Sequence, residues 1–276
     1  MRSALRRSRI TGIYLFAFLV LALVLCMTLF PRLLTRYDPN ELVAGDLQGP
    51  SRAHILGTDE LGRDLYARVV YGARASMYVG LGSSLLAVLI GIPLGLLAGY
   101  HGGAADLILM RILDSFMAFP AILLSVLIIS VTGANATALT VTIALVNFPR
   151  FARIVRSNTL SIKKIDFVEA TRTFGARPPY LMFRTILANC LSPIVVQFTL
   201  LVAIAILIEA SMSFLGLGIQ PPAPAWGSML HTAQLYLRRA WWYALIPGFM
   251  IFIVVYAINI FGDWLRNITD PKRRTR

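Results

Sequence analysis

The sequence predicts an all-α, polytopic membrane protein with six transmembrane helices. The chain of 276 residues is 57% hydrophobic and 14% charged, with a mean hydropathy of +0.71, which is more apolar surface than a soluble domain can bury. A helix needs about 20 apolar residues to cross a bilayer core. Five runs without Asp, Glu, Lys or Arg reach that length, at 10–31, 75–105, 115–149, 185–208 and 240–262.

The third of these runs supplies two helices. It is 35 residues long and is interrupted by Thr-Gly-Ala-Asn at 132–135, a sequence typical of a tight turn. A further uncharged stretch, 210–237, contains GLGIQPPAPAWG and is predicted to be a loop, because so many Gly and Pro residues do not suit a helix in lipid. The predicted spans are 10–31, 76–100, 108–132, 136–156, 189–215 and 243–264.

The N-terminus has a basic start followed by an apolar run, a pattern that is also typical of a cleaved signal peptide. The run extends over 10–31 and is followed by Arg-Leu-Leu, without the small residues of a cleavage site. We therefore expect a retained first helix.

The distribution of basic residues predicts that both termini are cytoplasmic. Of the 26 Lys and Arg residues, 18 lie before residue 10, at Arg111, in 150–184 and in 266–276, which six spans place on one side. Six of the other eight lie in 32–74, together with six acidic residues. The net charge of +13 is therefore a topology signal, and we expect no nucleic-acid partner. An aromatic belt is expected on the opposite side, at Trp226, Tyr236, Trp241, Trp242 and Tyr243.

A charged segment, EATRTFGARPPYLMFRTILAN at 169–189, separates two of the apolar runs. Apolar positions over 160–174 have a helical spacing, and Gly175 suits the left-handed residue that ends a helix. Pro178 and Pro179 suit the first turn of a second helix. The residues alone leave two interpretations open: a hairpin that docks a partner, or a loop that lies on the bilayer surface.

Catalytic and metal-binding chemistry is not predicted. None of the lysines follows a Gly-rich phosphate-binding loop, no serine lies in a G-x-S-x-G setting, and no pair of carboxylates has catalytic spacing. Cys26 and Cys190 fall in or beside spans, which does not favour a disulfide. The three histidines, His54, His101 and His231, are expected in loops. Nickel binding is considered for His54 and His231, but we favour an ordinary interfacial role for both.

Glu209 is the one acidic residue deep within an apolar stretch, and a carboxylate inside a membrane is costly. It either lines the translocation pathway or fixes the end of the fifth span through hydrogen bonds to the turn at 211–218. We favour the structural role, because the helix is expected to end there.

Other polar residues near span ends are weaker candidates for the pathway or for structural pairing. Asp114 is expected to pair with Arg111 or with the hairpin, and Asn259 and Asp263 to act similarly at the end of the last span. Three glycines at every fourth position over 91–99 form a small face on the second span, which we expect to pack within the subunit.

The hairpin resembles the EAA loop of bacterial ATP-binding-cassette (ABC) importer permeases. Glu169, Ala170 and Gly175 match the pattern in spacing. Thr171 stands where that pattern has a second Ala, and Ala188 stands where it has Pro.

Three further segments, 54–77, 209–230 and 259–271, resemble signatures of the dipeptide, oligopeptide and nickel permease subfamily, in the same order. The resemblance covers residues 37–271 and implies the second of the two permease types in such systems. It implies a type I ABC-importer permease fold: an N-terminal helix and periplasmic loop at 1–74, then a five-helix core at 75–276. The EAA loop at 157–188 would form a cytoplasmic coupling helix in that core.

The same resemblance implies the partners. These are a homologous second permease subunit, one or two ATP-binding subunits that carry ATP and Mg, an extracytoplasmic substrate-binding protein, and the lipid of a bacterial inner membrane. This chain itself would bind no cofactor. The residues that it implies dock the ATPase are Glu169, Ala170, Thr171, Arg172, Gly175 and Arg177.

The substrate is expected to be a di- or oligopeptide, with nickel or a nickel chelate as the alternative. An ion-coupled secondary transporter is a third hypothesis, but such proteins usually show internal repeats and several intramembrane acids. A membrane-embedded enzyme is not favoured, because no catalytic cluster is visible near an interface.

Overall fold

The described residues form a bundle of helices joined by turns and two longer non-helical segments, 35–64 and 215–225. A computed structural model describes residues 2–269, with side chains from residue 12, so the basic side chains before residue 10 and at 272–276 lie outside the described residues. Residues 2–269 contain no β-strand, only two isolated bridges between 42 and 64. The helices are α1 (Arg2–Leu29), α2 (Pro31–Leu34), α3 (Leu65–His101), α4 (Gly103–Met117), α5 (Ala121–Thr132), α6 (Ala136–Ile162), α7 (Asp166–Thr173), α8 (Pro178–Tyr180), α9 (Leu187–Phe214), α10 (Trp226–Ala233) and α11 (Trp241–Thr269), with a π-helical segment at Leu181–Ile186 that joins α8 to α9.

Within residues 2–269, five helices are long and apolar enough to cross a membrane, and α4 with α5 forms a sixth candidate. The prediction of one continuous third span at 108–132 is wrong, because α4 and α5 meet at an angle of 84°. The break falls at 118–120, where Pro120 has no N–H to continue the hydrogen-bonding of α4 and its ring disfavours helix in the residue before it.

The packing of α3 on α6 forms the centre of the bundle. A Cβ atom at Gly99 or at Gly95 would lie 2.7 Å from the Cβ atoms of Thr159 and Val155, so only glycine permits this approach. The expectation that the glycine face packs within the subunit is confirmed.

Helix α1 packs along α11, with the ring of Phe18 edge-on to Phe261 and Trp264 at centroid distances of 5.6 and 4.9 Å. The amide of Asn267 donates a hydrogen bond of 2.9 Å to the hydroxyl of Tyr14. The first helix is therefore part of the bundle.

Residues 35–68, which we name the cap, join α2 to α3 through buried charges. Asp59 has no exposed surface and accepts from Nε of Arg63 at 2.6 Å, and its Oδ2 lies 3.2 Å from Nε of Arg68. Glu60 pairs with Arg63 at 2.9 Å and accepts from the Tyr243 hydroxyl at 2.6 Å, which fixes the cap to α11. These ion pairs and the hydrogen bond from Tyr243 thus hold the first turns of α3 and α11 together.

The segment after α9 folds back onto α3 and α9. The indole of Trp226 is fully buried and donates a hydrogen bond of 3.0 Å to the carbonyl oxygen of Val69, while a Cβ atom at Gly227 would lie 2.6 Å from the carbonyl oxygen of Ala210. The predicted aromatic belt is wrong for Trp226 and Tyr243, because both side chains are buried in the bundle.

Candidate functional site

The hairpin between α6 and α9 begins with a separate short helix. The single helix predicted over 160–174 is wrong: α6 ends at Ile162 and α7 begins at Asp166, after a turn. Glu169 lies in the first turn of α7 and Arg172 in the last, so both charges match the helix dipole.

A glycine turn reverses the chain after α7, and this prediction is confirmed. Gly175 has φ +86°, a left-handed conformation in which a residue with a Cβ is strained. Its N–H donates to the carbonyl of Arg172 at 2.9 Å, and the N–H of Ala176 donates to that of Thr171 at 3.3 Å, which is the Schellman pattern. Pro178 and Pro179 then start α8, as predicted.

One face of the hairpin is anchored in the bundle. Val168 is the buried residue of α7. It packs in a cluster with Leu181, Met182 and Ile186 of the π-helical segment that follows α8. The chain is helical without interruption from Pro178 to Phe214, so this cluster connects α7 directly to a membrane span.

The other face of the hairpin is solvent-exposed. Glu169, Arg172 and Arg177 are exposed, and none makes an ion pair within residues 12–269. Ala170 is also exposed, whereas the Thr171 hydroxyl donates to the carbonyl of Phe167 in its own helix at 2.7 Å.

Sequence reasoning missed Phe174, which is 92% exposed at the tip of the hairpin. Its signal is a large aromatic residue directly before the turn glycine of a charged segment. An exposed aromatic side chain of this kind is typical of an interface anchor.

A cleft of about 280 Å³ separates the hairpin from the end of α3. It is bounded by Tyr100, Lys163, Glu169 and Arg172, among others. The ammonium group of Lys163 donates to the carbonyl oxygen of Tyr100 and lies 5.4 Å from the centroid of its ring. The base of the hairpin is therefore tied to α3.

Two ion pairs brace α4 against α6 near the hairpin. Arg156 binds Asp106 through both carboxylate oxygens, and Arg153 binds Asp114. The expected pairing of Asp114 with Arg111 or with the hairpin is wrong, because Arg153 of α6 binds the carboxylate instead.

Glu209 is fully buried in α9, five residues before the helix ends. Its Oε1 accepts a hydrogen bond of 2.8 Å from the hydroxyl of Ser213, within the turn region expected to bind it. Ser76 of α3 faces the same carboxylate without hydrogen-bond geometry, and Oε2 has no partner among residues 12–269. Among the described residues, the hydrogen bonding of this carboxylate therefore stays within α9, beside Ser76 of α3.

The remaining pathway candidates lie on α11. The Asn259 amide donates to the carbonyl of Val255 in its own helix at 2.8 Å, and Asp263 borders a cleft with Tyr14, Arg266 and others, without an ion pair in the described residues. The structure therefore does not bring these two residues together with Glu209.

The two histidines considered for nickel have structural partners. Nδ1 of His54 lies 2.9 Å from Oδ2 of Asp64, which also caps α3 by accepting from the N–H of Ala67. Nδ1 of His231 lies 2.6 Å from the carbonyl oxygen of Phe214. Residues 12–269 contain no group of three or more His, Cys, Asp or Glu that could hold a metal ion.

Comparison with known proteins identifies the family. Residues 91–275 match the family described as binding-protein-dependent transport system inner membrane component. The chain belongs to this family. It is thus a multi-pass membrane protein and a transport subunit, a permease of an ABC importer, as the hairpin and the signature segments predicted.

Two relatives of this permease are similar over most of their length. The chain is 41% identical over 261 residues to the di/tripeptide transport system permease protein DppC of Pseudomonas aeruginosa, covering 92% of this chain and 86% of the relative. It is also 41% identical over 259 residues to the glutathione transport system permease protein GsiD of Pectobacterium atrosepticum, covering 93% and 86%.

Among solved structures, a chain of the inward-facing MetNI methionine ABC transporter is similar to this permease with a TM-score of 0.61. The match covers 75% of this chain and 98% of that one, at 21% identity, and so bears on the fold alone. It confirms the predicted type I importer fold.

Proposed function

We propose that this permease serves an importer of di- and oligopeptides and that its hairpin transmits motion from an ATP-hydrolysing partner. The observation that carries the coupling role is the two-sided hairpin. Val168 fixes one face to the bundle, while Glu169, Arg172 and the 92% exposed Phe174 present the other face without partners in residues 12–269. A mixed charged and aromatic surface of this kind suits a protein interface.

The proposed assembly has four kinds of component. This chain pairs with a homologous second permease, one or two ATP-binding subunits hold ATP and Mg, and a binding protein outside the membrane delivers substrate. The excess of Lys and Arg in 150–184 supports a cytoplasmic hairpin and cytoplasmic termini in a bacterial inner membrane. Residues 1–74 then form the N-terminal helix and the outer cap, and 75–276 the permease core.

The proposed coupling is a rigid-body transmission. ATP binding draws the partner subunits together, and the hairpin moves with the surface on which it docks. The buried contacts of Val168 and the unbroken helix Pro178–Phe214 pass this movement to the fifth span, and the Arg156–Asp106 pair passes it to α4 through α6.

The peptide substrate is supported by the names of the relatives, which transport di/tripeptides and glutathione. Nickel remains the alternative, but His54 and His231 are held by Asp64 and by a backbone carbonyl. Membership of a binding-protein-dependent family does not favour an ion-coupled transporter.

The test is uptake in a strain that lacks only this gene, with and without a plasmid copy. We expect loss of labelled dialanine uptake, restored by the plasmid, with nickel uptake unchanged. Loss of nickel uptake alone would replace the peptide proposal with the nickel one. In parallel, the tagged chain should copurify with an ATP-hydrolysing partner. A purified sample without ATP hydrolysis would contradict the coupling role.

A further inference from the structure

The inner part of α6 carries a polar stripe that the coupling role does not use. Arg150, Arg153, Ser157 and Ser161 are exposed and recur at spacings of three and four, so they share one face of the helix. The opposite face is buried and packs in the cluster around α3, through Phe148, Phe151, Ala152 and Val155.

Arg150 lies within the predicted span 136–156, in the half that leads to the hairpin. Its turn of α6 is level with Gly91 of α3, because a Cβ atom at Gly91 would lie 3.1 Å from the N atom of Ala152 and from the ring of Phe151. Gly91 is close to the centre of the uncharged run 75–105. A guanidinium at that depth is costly in lipid and is normally directed to a polar pathway.

Arg150 also differs from the two arginines that follow it. Arg153 is paired with Asp114 and Arg156 with Asp106, whereas Arg150 makes no ion pair or side-chain hydrogen bond within residues 12–269. It is a charged side chain within a predicted span that no acidic residue among 12–269 neutralises.

Arg150 borders a cleft of about 280 Å³ at the 84° bend between α4 and α5. Asn147, one turn before it, lines the same cleft, and its amide donates to the carbonyl of Ile143 at 2.9 Å. Its side-chain oxygen accepts no hydrogen bond from residues 12–269, and remains available to an N–H donor. Phe116, Phe119 and Ile208 supply apolar surface.

We propose that Arg150 binds the carboxylate of a peptide in transit, with Asn147 accepting from a peptide N–H. This proposal rests on the proposed peptide import. A guanidinium binds a carboxylate through two parallel hydrogen bonds. The cleft at the bend between α4 and α5 combines the guanidinium of Arg150, the amide oxygen of Asn147 and apolar walls, which is the usual composition of a ligand site. Arg150 is therefore a specificity-determining residue of the pathway.

The first experiment measures binding of labelled dialanine to the assembled transporter in nanodiscs, without its binding protein. We expect dialanine amide to compete about tenfold less well than dialanine, because a charge-assisted hydrogen bond is lost. In Arg150→Gln this difference should disappear, and in Arg150→Lys it should largely remain. Equal competition by the two compounds in the unmodified transporter, or no dialanine binding at all, would overturn the proposal.

The second experiment separates a peptide carboxylate from an acidic residue of the second permease. If Arg150 instead pairs with that subunit, Arg150→Gln lowers the yield of the assembled complex, which also overturns the proposal. We expect unchanged assembly and about tenfold lower dialanine uptake in cells. Arg238→Gln removes one exposed charge from the segment before α11 and should change neither assembly nor dialanine uptake.

These outcomes are distinct from failure of peptide import itself. If the unmodified chain restores no dialanine uptake to the deletion strain, the proposed function is wrong. If it restores uptake and Arg150→Gln restores it equally, only the subsite is wrong.

Discussion

The cap and the hairpin are both rich in charge, but they use it in opposite ways. In the cap, Asp59 is fully buried between Arg63 and Arg68, and Glu60 reaches Tyr243 of α11. In the hairpin, Glu169 and the neighbouring arginines are exposed and unpaired within residues 12–269.

The difference teaches how to separate structural charges from functional ones in this chain. A buried charge must be paired, because its desolvation is otherwise too costly, so the loss of one partner in the cap should destabilise the fold. An exposed charge adds little to stability, so the hairpin charges are free to serve a partner. Substitutions in the cap should therefore reduce stability, and substitutions in the hairpin should reduce coupling.

The largest effect is expected for Asp59→Ala in the cap. It leaves the guanidinium group of Arg68 buried without its carboxylate and removes one of the two carboxylates that bind Arg63, at a cost of about 3–5 kcal/mol. Thermal unfolding of the purified complex, or the amount of chain in the membrane, measures the loss. The matched control is Asp46→Ala, whose pair with Arg239 is exposed and should contribute under about 1 kcal/mol. Equal stability of the two variants would contradict the structural role of the cap.

Phe174→Ala should give the largest effect in the hairpin. The side chain is 92% exposed, so its removal should leave the unfolding temperature unchanged. If Phe174 anchors the ATPase, the affinity of purified ATP-binding subunits for the permease should fall about thirtyfold, as for an aromatic hot spot.

Leu235→Ala provides the control for Phe174, because that side chain is 74% exposed outside the hairpin. It should not alter the ATPase affinity. Full affinity in Phe174→Ala would show that the charged residues alone dock the partner.

Gly175→Ala and Gly133→Ala test the turn with the same chemical change. Both glycines have a left-handed φ, +86° and +84°, and a Cβ atom at either would meet nothing within 4 Å. Gly175→Ala should cost about 1–2 kcal/mol of backbone strain, and Gly133→Ala at least as much, because a ψ of +154° places Gly133 in a region that is essentially restricted to glycine. Only Gly175→Ala should lower dialanine uptake and the ATP hydrolysis that it stimulates, because only that turn orients α7. Similar uptake by both variants would remove the turn from the coupling mechanism.

Much of the fold was predictable because only long apolar helices can span the hydrocarbon core of a bilayer in a protein of this type. Apolar length located the spans, and the glycine spacing at 91–99 located the packing face of α3. The hairpin turn was predictable for a local reason. Glycine readily adopts the positive φ that ends a helix, and proline is favoured in the first turn of the next one.

The break between α4 and α5 was not predictable, because proline alone does not determine it. Pro93 lies inside α3 and Pro149 inside α6, and both helices continue. Those two helices are packed against one another, whereas 117–121 around Pro120 are exposed and nothing holds the helix straight. The hydrogen bond between Tyr243 and Glu60 was also beyond sequence reasoning, since it joins residues 183 positions apart.

The smallest effect is expected for Glu209→Gln. This variant tests whether Glu209 is a structural residue, like the charges of the cap, or a functional one, like the charges of the hairpin. The glutamine oxygen can still accept from Ser213, and its amide can donate to the hydroxyl of Ser76, which has no partner in the described residues. We therefore expect a change in unfolding free energy under about 1 kcal/mol, and normal dialanine uptake.

Glu209→Ala provides the contrast, because it leaves the hydroxyl of Ser213 without its acceptor in a buried site. It should destabilise the protein by about 1–3 kcal/mol. A Glu209→Gln variant that assembled fully but transported nothing would show that the charge itself is used during transport. Glu209 would then be a buried charge retained for function, and burial would no longer separate the two kinds of charge in this protein.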